Sequence, residues 1–218
     1  MGTITRSFAN NITTSGVLLP ASLVNNSIAN VTAYNASVAT GNMVLISSQT
    51  ASASASISFT TGIDSTYKEY QFYFININPA TDNANFTFNM STDGGSNYNV
   101  TKTTTFFRAV HDEADTLASL TYLTAEDLAQ STGFQNIADA LGNGADEQGS
   151  GTLTLFNPSS TVYVKHFIST SNSYAYTNYS INNYIAGYGN TTSAINAVQF
   201  KFSSGNIDDG TILMYGIK

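Results

Sequence analysis

Between Ala194 and Lys218 the chain reads AINAVQFKFSSGNIDDGTILMYGIK, and only a strand geometry gathers its apolar side chains onto common faces. Val198, Phe200 and Phe202 alternate with Gln199, Lys201 and Ser203, the two-residue period of a strand with one dry face. Ser203 to Gly210 is a cluster of turn-tolerant residues. After it, Leu213, Tyr215 and Ile217 share one face and Ile212 and Met214 the other, so this arm is apolar on both sides. Strands of that kind lie inside sheets. The expectation is a terminal hairpin whose second arm is central.

The same period recurs upstream. MVLISSQ (Met43 to Gln49) and TASASASISF (Thr50 to Phe59) read as strands, the second with a face of small residues. In YKEYQFYFININ, Tyr70, Phe72 and Phe74 fall on one face and Tyr73, Ile75 and Ile77 on the other, with Pro79 as the stop. Phe86, Phe88 and Met90 point inward in NFTFNMS; Asp93-Gly94-Gly95 is a hairpin signal, with Thr103 to Val110 as the returning strand. Gly151 to Pro158 and Thr161 to Ser169 continue the pattern, and Ser171 to Thr192 carries five tyrosines among Asn and Ser. The stretch from His111 to Gly151 differs. Thr124-Ala-Glu-Asp resembles a capped helix start, and Phe134, Ile137, Ala138 and Leu141 fit one helical face. The fold class expected is therefore all-β: an antiparallel β-sandwich of jelly-roll type, with one or two short helices in the 124–142 region.

Residues 1–42 read as a separate N-terminal docking segment and 43–218 as a single β-sandwich domain. Phe8, Val17, Leu18 and Leu19 are the anchoring candidates in the first segment. The start lacks the apolar core of a signal peptide and nothing is long enough to span a bilayer, so no membrane partner is expected.

Charged residues are only 10% of the chain, against roughly 25% in ordinary soluble domains. A surface of Asn, Ser, Thr and Tyr hydrogen-bonds readily and depends little on salt. The net charge of −7 supplies no basic stripe for phosphates, so no nucleic-acid partner is expected. With no cysteine, disulfides and thiolate chemistry are excluded, which suits assembly in a reducing cytoplasm. His111-Asp112-Glu113 with Asp115 is the one cluster resembling a metal or acid–base site, but its spacing fits no zinc or EF-hand pattern and it reads as a solvated acidic loop. Asp64, Glu69, Asp82 and Asp93 are carboxylates whose pairing the sequence leaves open. No catalytic residue, metal site or cofactor is assigned, and the chain is expected not to be an enzyme. Tyr174, Tyr176 and Tyr179 are the candidates for surface binding, stacking on sugar rings or on a neighbouring subunit.

Several phrases taken together (TRSFANN, YKEYQFYFININPATDN, MSTDGGSNYN, GTLTLFNPSSTVYVKHFIS and the terminal SAINAVQFKFSSGNIDDGTILMYGIK) resemble virion structural proteins of tailed bacteriophages, chiefly marine and cyanobacterial ones. The family more often has Leu where this chain has Met214. The resemblance implies a particle component in tail fibre, tail or capsid decoration, and no catalytic residues. Its expected partners are other virion proteins, within a homo-oligomer, a trimer; its expected location is the virion, assembled in the host cytoplasm. The alternative is a receptor- or glycan-binding adhesin module that holds a host-surface glycan.

Overall fold

The computed structural model describes residues 42–218. The docking segment expected over 1–42, with Phe8, Val17, Leu18 and Leu19, therefore lies outside the described residues but for its last position. Twelve strands follow: β1 (Met43–Thr50), β2 (Ile57–Phe59), β3 (Glu69–Pro79), β4 (Ala84–Ser91), β5 (Lys102–Asp112), β6 (Ala118–Tyr122), β7 (Gln135–Leu141), β8 (Gly149–Phe156), β9 (Lys165–Ala175), β10 (Tyr179–Gly189), β11 (Ala197–Phe202) and β12 (Ile207–Ile217). Every pairing is antiparallel. One run is β1-β12-β3-β8-β9-β10-β5-β6 and a shorter one is β7-β4-β11-β2. They join where Leu141 pairs with Ala175, and Ser54, ahead of β2, bridges to Ile207 of β12. The result is an antiparallel sheet that nearly closes on itself around a main core, with a small second cluster of Val110, Ala175 and Ile181.

Aromatic rings fill that core from both runs. Phe59 meets Phe72 at 5.4 Å, Phe74 meets Phe86 at 5.4 Å, and Phe88 meets Phe167 edge-on at 4.9 Å. Phe200 lies among Phe59, Phe72, Phe86 and Phe88. Such offset and edge-on contacts add to the burial of the rings themselves.

Four sequence expectations need correction. The helices expected over 124–142 are not formed. The Thr124 segment makes one turn, closed by the Glu126 N–H on the Leu123 carbonyl, and residues 135–141 form β7. Ile137, Ala138 and Leu141 are buried as expected, but so are Gln135, Asn136 and Asp139 on the opposite side. A strand covered on both faces answers that pattern, whereas a helix would expose one side. The Asn136 side chain also accepts from the Ala138 N–H, the local competition that disfavours helix interiors, and Ala140 sits at φ 55°.

Neither expected hairpin is one. β11 pairs with β2 and β4, while β12 pairs with β1 and β3. Only Ser203 to Asn206 carry the chain from one run to the other, and Ile207 to Gly210 already belong to β12, paired with the end of β3. β12 is nonetheless central, as its two apolar faces imply. Likewise β5 pairs with β10 and β6 instead of returning along β4. Gly94 and Gly95 do take positive φ (72° and 90°). The Asp93 carboxylate, however, wraps the turn around itself by accepting from Ser91 and Asn97.

The strand expected over 50–59 breaks after Thr50, with Ala53 at φ 48°, and only Ile57–Phe59 pairs. In β3 the alternation slips: Asn76 at φ 51° inserts a bulge, which leaves Ile75 exposed and turns Ile77 into the core.

Candidate functional site

The register of β9, β10, β5 and β6 lines their outward side chains into rows. Tyr174, Ser180 and His111 form one; Asn172, Asn182, Ala109 and Leu120 the next; Thr170, Tyr184, Phe107 and Tyr122 the third. The opposite face holds Ser171, Ser173, Ile181, Asn183 and Phe106, all buried. Period two thus separates a dry side from a wet one.

Side-chain size then sculpts the wet side. Tyr184 and Phe107 stack at 4.9 Å with planes 9° apart, making a raised bank. Ala109, Ser180 and Asn182 are short, so the adjoining row is a trough. At its far end a depression of ≈ 270 Å³ opens between Asn172, Tyr174, Ser180, His111 and Glu113. Both share His111 and Ser180, and together they cross the sheet face.

The far bank comes from the β5–β6 turn. Asp112 builds that turn, accepting from the Thr116 hydroxyl and from the Thr116 and Leu117 N–H groups at 2.9 and 2.8 Å; the hydroxyl bond first, and then the Leu117 N–H, hold its carboxyl below the usual range. His111 Nε2 lies 3.1 Å from Asp115 Oδ1. The Tyr174 hydroxyl donates to Glu113 Oε1 at 3.1 Å; that bond, followed by burial and the charges of Glu113, Asp146 and Glu147, raises its pKa above the ordinary phenol value. The tyrosine therefore stays a neutral phenol in a locally acidic setting.

Two features read separately in the sequence, the His111–Asp115 cluster and the tyrosine-rich stretch, meet at this place. Of the three tyrosines, Tyr174 lines the depression. Tyr179 packs half-buried against Val110, Ala175 and Ile181 and lines a second recess, of ≈ 380 Å³, with Asp112 and Glu113. Tyr176 is exposed at the β9–β10 tip. Among the described residues no group of three or more His, Asp or Glu is arranged to hold a metal. Glu69 opens β3 and Asp82 follows its other end, and Asp64 and Asp93 bond within their own turns. Asn172, Asn182 and Phe107 were missed by sequence reading. The signal was present in Ser180, Asn182, Tyr184 and Tyr188 alternating with Ile181 and Ile185, but only register sets them beside β5.

Compared with known proteins, the chain matches no family model, no curated protein and no solved structure.

Proposed function

We propose that the chain is a structural subunit of a tailed-phage virion, in tail fibre, tail or capsid decoration, that acts by contact with other virion proteins and performs no reaction. The observation that supports this reading is the outer edge of β6. All five of its residues are exposed, Leu120 at 73% and Tyr122 at 49%, and none is charged. Edge strands that must remain single are blunted by lysine, proline or a bulge. β6 has none of these and pairs with β5 in unbroken register. Its outer N–H and C=O groups, which pair with no other strand among the described residues, and the exposed Leu120 suit a neighbouring subunit, in a cyclic homo-oligomer taken to be a trimer. The resemblance of several phrases to virion proteins supports the same reading, as does an uncharged contact edge on a chain of net charge −7.

The reading treats the fold as a jelly-roll-like sandwich, supported by the stacking of β4 and β11 aromatics on those of β3 and β9. Residues 1–42 then serve as the docking segment through Phe8, Val17, Leu18 and Leu19. Deleting residues 1–20 is expected to abolish incorporation into particles while the body stays folded, checked by blotting purified virions and by circular dichroism of the isolated protein. Normal loading of the truncated chain would refute docking through this segment, and absence of the full chain from purified virions would refute the function itself. A second reading, attachment to a host-surface glycan, is favoured by the trough between Tyr174 and Tyr184.

A further inference from the structure

We infer that the trough on the outer face of β9, β10 and β5 binds a short neutral oligosaccharide, with Asn172 and Asn182 as its hydrogen-bonding floor and Tyr174 and Tyr184 as its banks. This rests on the second reading above and gives it a site and a ligand class.

The lining chemistry carries the assignment. A sugar presents vicinal hydroxyls, each both donor and acceptor, and a C–H face that packs on aromatic rings. Amide side chains match the hydroxyls because each has two donors and an acceptor. Asn182 Nδ2 donates to the Tyr184 hydroxyl at 2.9 Å, and Asn172 Nδ2 donates to Ser180 Oγ at 3.1 Å and to the Ile181 carbonyl at 3.2 Å. Among the described residues neither amide oxygen has a protein donor, so both remain as acceptors for a ligand. The bonds that are made fix the rotamers, so little ordering remains to be done on binding. Glu113 adds a carboxylate, a strong acceptor for paired hydroxyls. Tyr184, 36% exposed and stacked on Phe107, offers an amphipathic edge at the rim.

Charge narrows the class. Asp112, Glu113 and Asp115 edge the trough, and Asp146 and Glu147 act on Tyr174 from the β7–β8 loop. Facing them is His111, itself against Asp115; Arg108 is turned to the inner side, paired with Asp139. A sialic or uronic acid would meet several carboxylates with no Lys or Arg among the described residues lining the trough, whereas a neutral hexose or N-acetylhexosamine meets no such penalty. Size narrows it further. At ≈ 270 Å³ the depression is just below the roughly 300–1,000 Å³ of sites for drug-sized ligands, so each copy binds weakly and repetition on a particle supplies the avidity.

The test is a glycan array probed with the full-length protein displayed multivalently. The array carries neutral hexose and N-acetylhexosamine oligosaccharides beside sialylated and uronic-acid ones, and monovalent titration by NMR follows for any hit. Neutral glycans are expected to bind and anionic ones not. Asn172→Ala and Asn182→Ala should each weaken binding roughly three- to tenfold, the worth of a hydrogen bond, with unchanged thermal unfolding. Ile168→Ala, on the same face beyond the Tyr184 row, should leave it unchanged. No neutral-sugar binding at millimolar concentration, a preference for anionic glycans, or binding indifferent to both asparagine variants would overturn the proposal. So would finding that these variants abolish contact with a neighbouring subunit instead. Particle incorporation depends on other residues, so failure here leaves the virion reading standing.

Discussion

Lys102 and Lys165 are fully buried, an unusual position for an ammonium group. Both pair with Gly189 of β10, from β5 on one side and β9 on the other. Lys102 Nζ donates to Asn89 Oδ1 at 2.6 Å and to the Val100 carbonyl at 2.8 Å; Lys165 Nζ donates to the Tyr163 and Thr191 carbonyls. All four partners are neutral, so burial without compensating charge dominates. It pushes Lys102 from its ordinary 10.5 down to about 7 and lowers Lys165 as well. Between about 7 and 10.5 the unfolded chain therefore holds a proton that the folded one has shed, and stability rises with pH. Below pH 7 the penalty is felt in full. Lys102 alone contributes up to about 1.4 kcal/mol per pH unit across that window, and Lys165 adds to it in the same direction. Lys102→Met orphans two acceptors, at a cost of about 1–3 kcal/mol, but it also removes the burial penalty of the ammonium. The variant should therefore be less stable than the parent at pH 9.5, regain ground as the pH falls to 7, and so flatten the slope between the two. Urea unfolding at several pH values measures both effects, and an unchanged slope would clear this lysine.

Elements in this protein hold each other through one aromatic cluster. Phe200 of β11 touches rings from β2, β3 and β4, so it ties together strands that are distant in sequence and lie in both runs of the sheet. Phe200→Ala should cost about 3–5 kcal/mol, read as a lower midpoint in denaturant, because neighbours belonging to three strands cannot collapse together into the gap. The strands themselves were legible from alternation, as in β3, β4 and β12. Their partners were not. Ser203 to Gly210 and Asp93 to Ser96 have hairpin composition, yet at each the chain passes from one run to the other, the first crossing being made by Ser203 to Asn206 alone. Turn chemistry states that the chain bends and is silent on where the next strand pairs. β7 was misread for a related reason: Ile137, Ala138 and Leu141 suit a helix, and only contacts covering Gln135 and Asn136 on the other side make a strand the better solution.

The whole molecule presents two unlike surfaces on one end of its longer run, an uncharged edge at β6 and a carboxylate-bordered trough beside it. On the reading proposed here the edge makes protein contacts without ion pairs, and such contacts are little screened by salt. Assembly of the full chain should therefore persist from 50 mM to about 500 mM salt, on the scale where surface ion pairs are lost. Leu120→Lys should dissociate it by placing a charge in the contact. Sedimentation of both proteins decides the matter, and a salt-labile assembly would point to a different interface.

By itself the sequence determined that this chain is built from strands, which side chains in most of them are dry, and that its surface is polar but nearly uncharged. Those properties follow from the two-residue period and from composition, both local. Only the tertiary structure decided the order of the strands, the burial of two lysines and the meeting of Tyr174 with His111 and Glu113. Each of these depends on register between segments far apart in the chain, which no local pattern encodes.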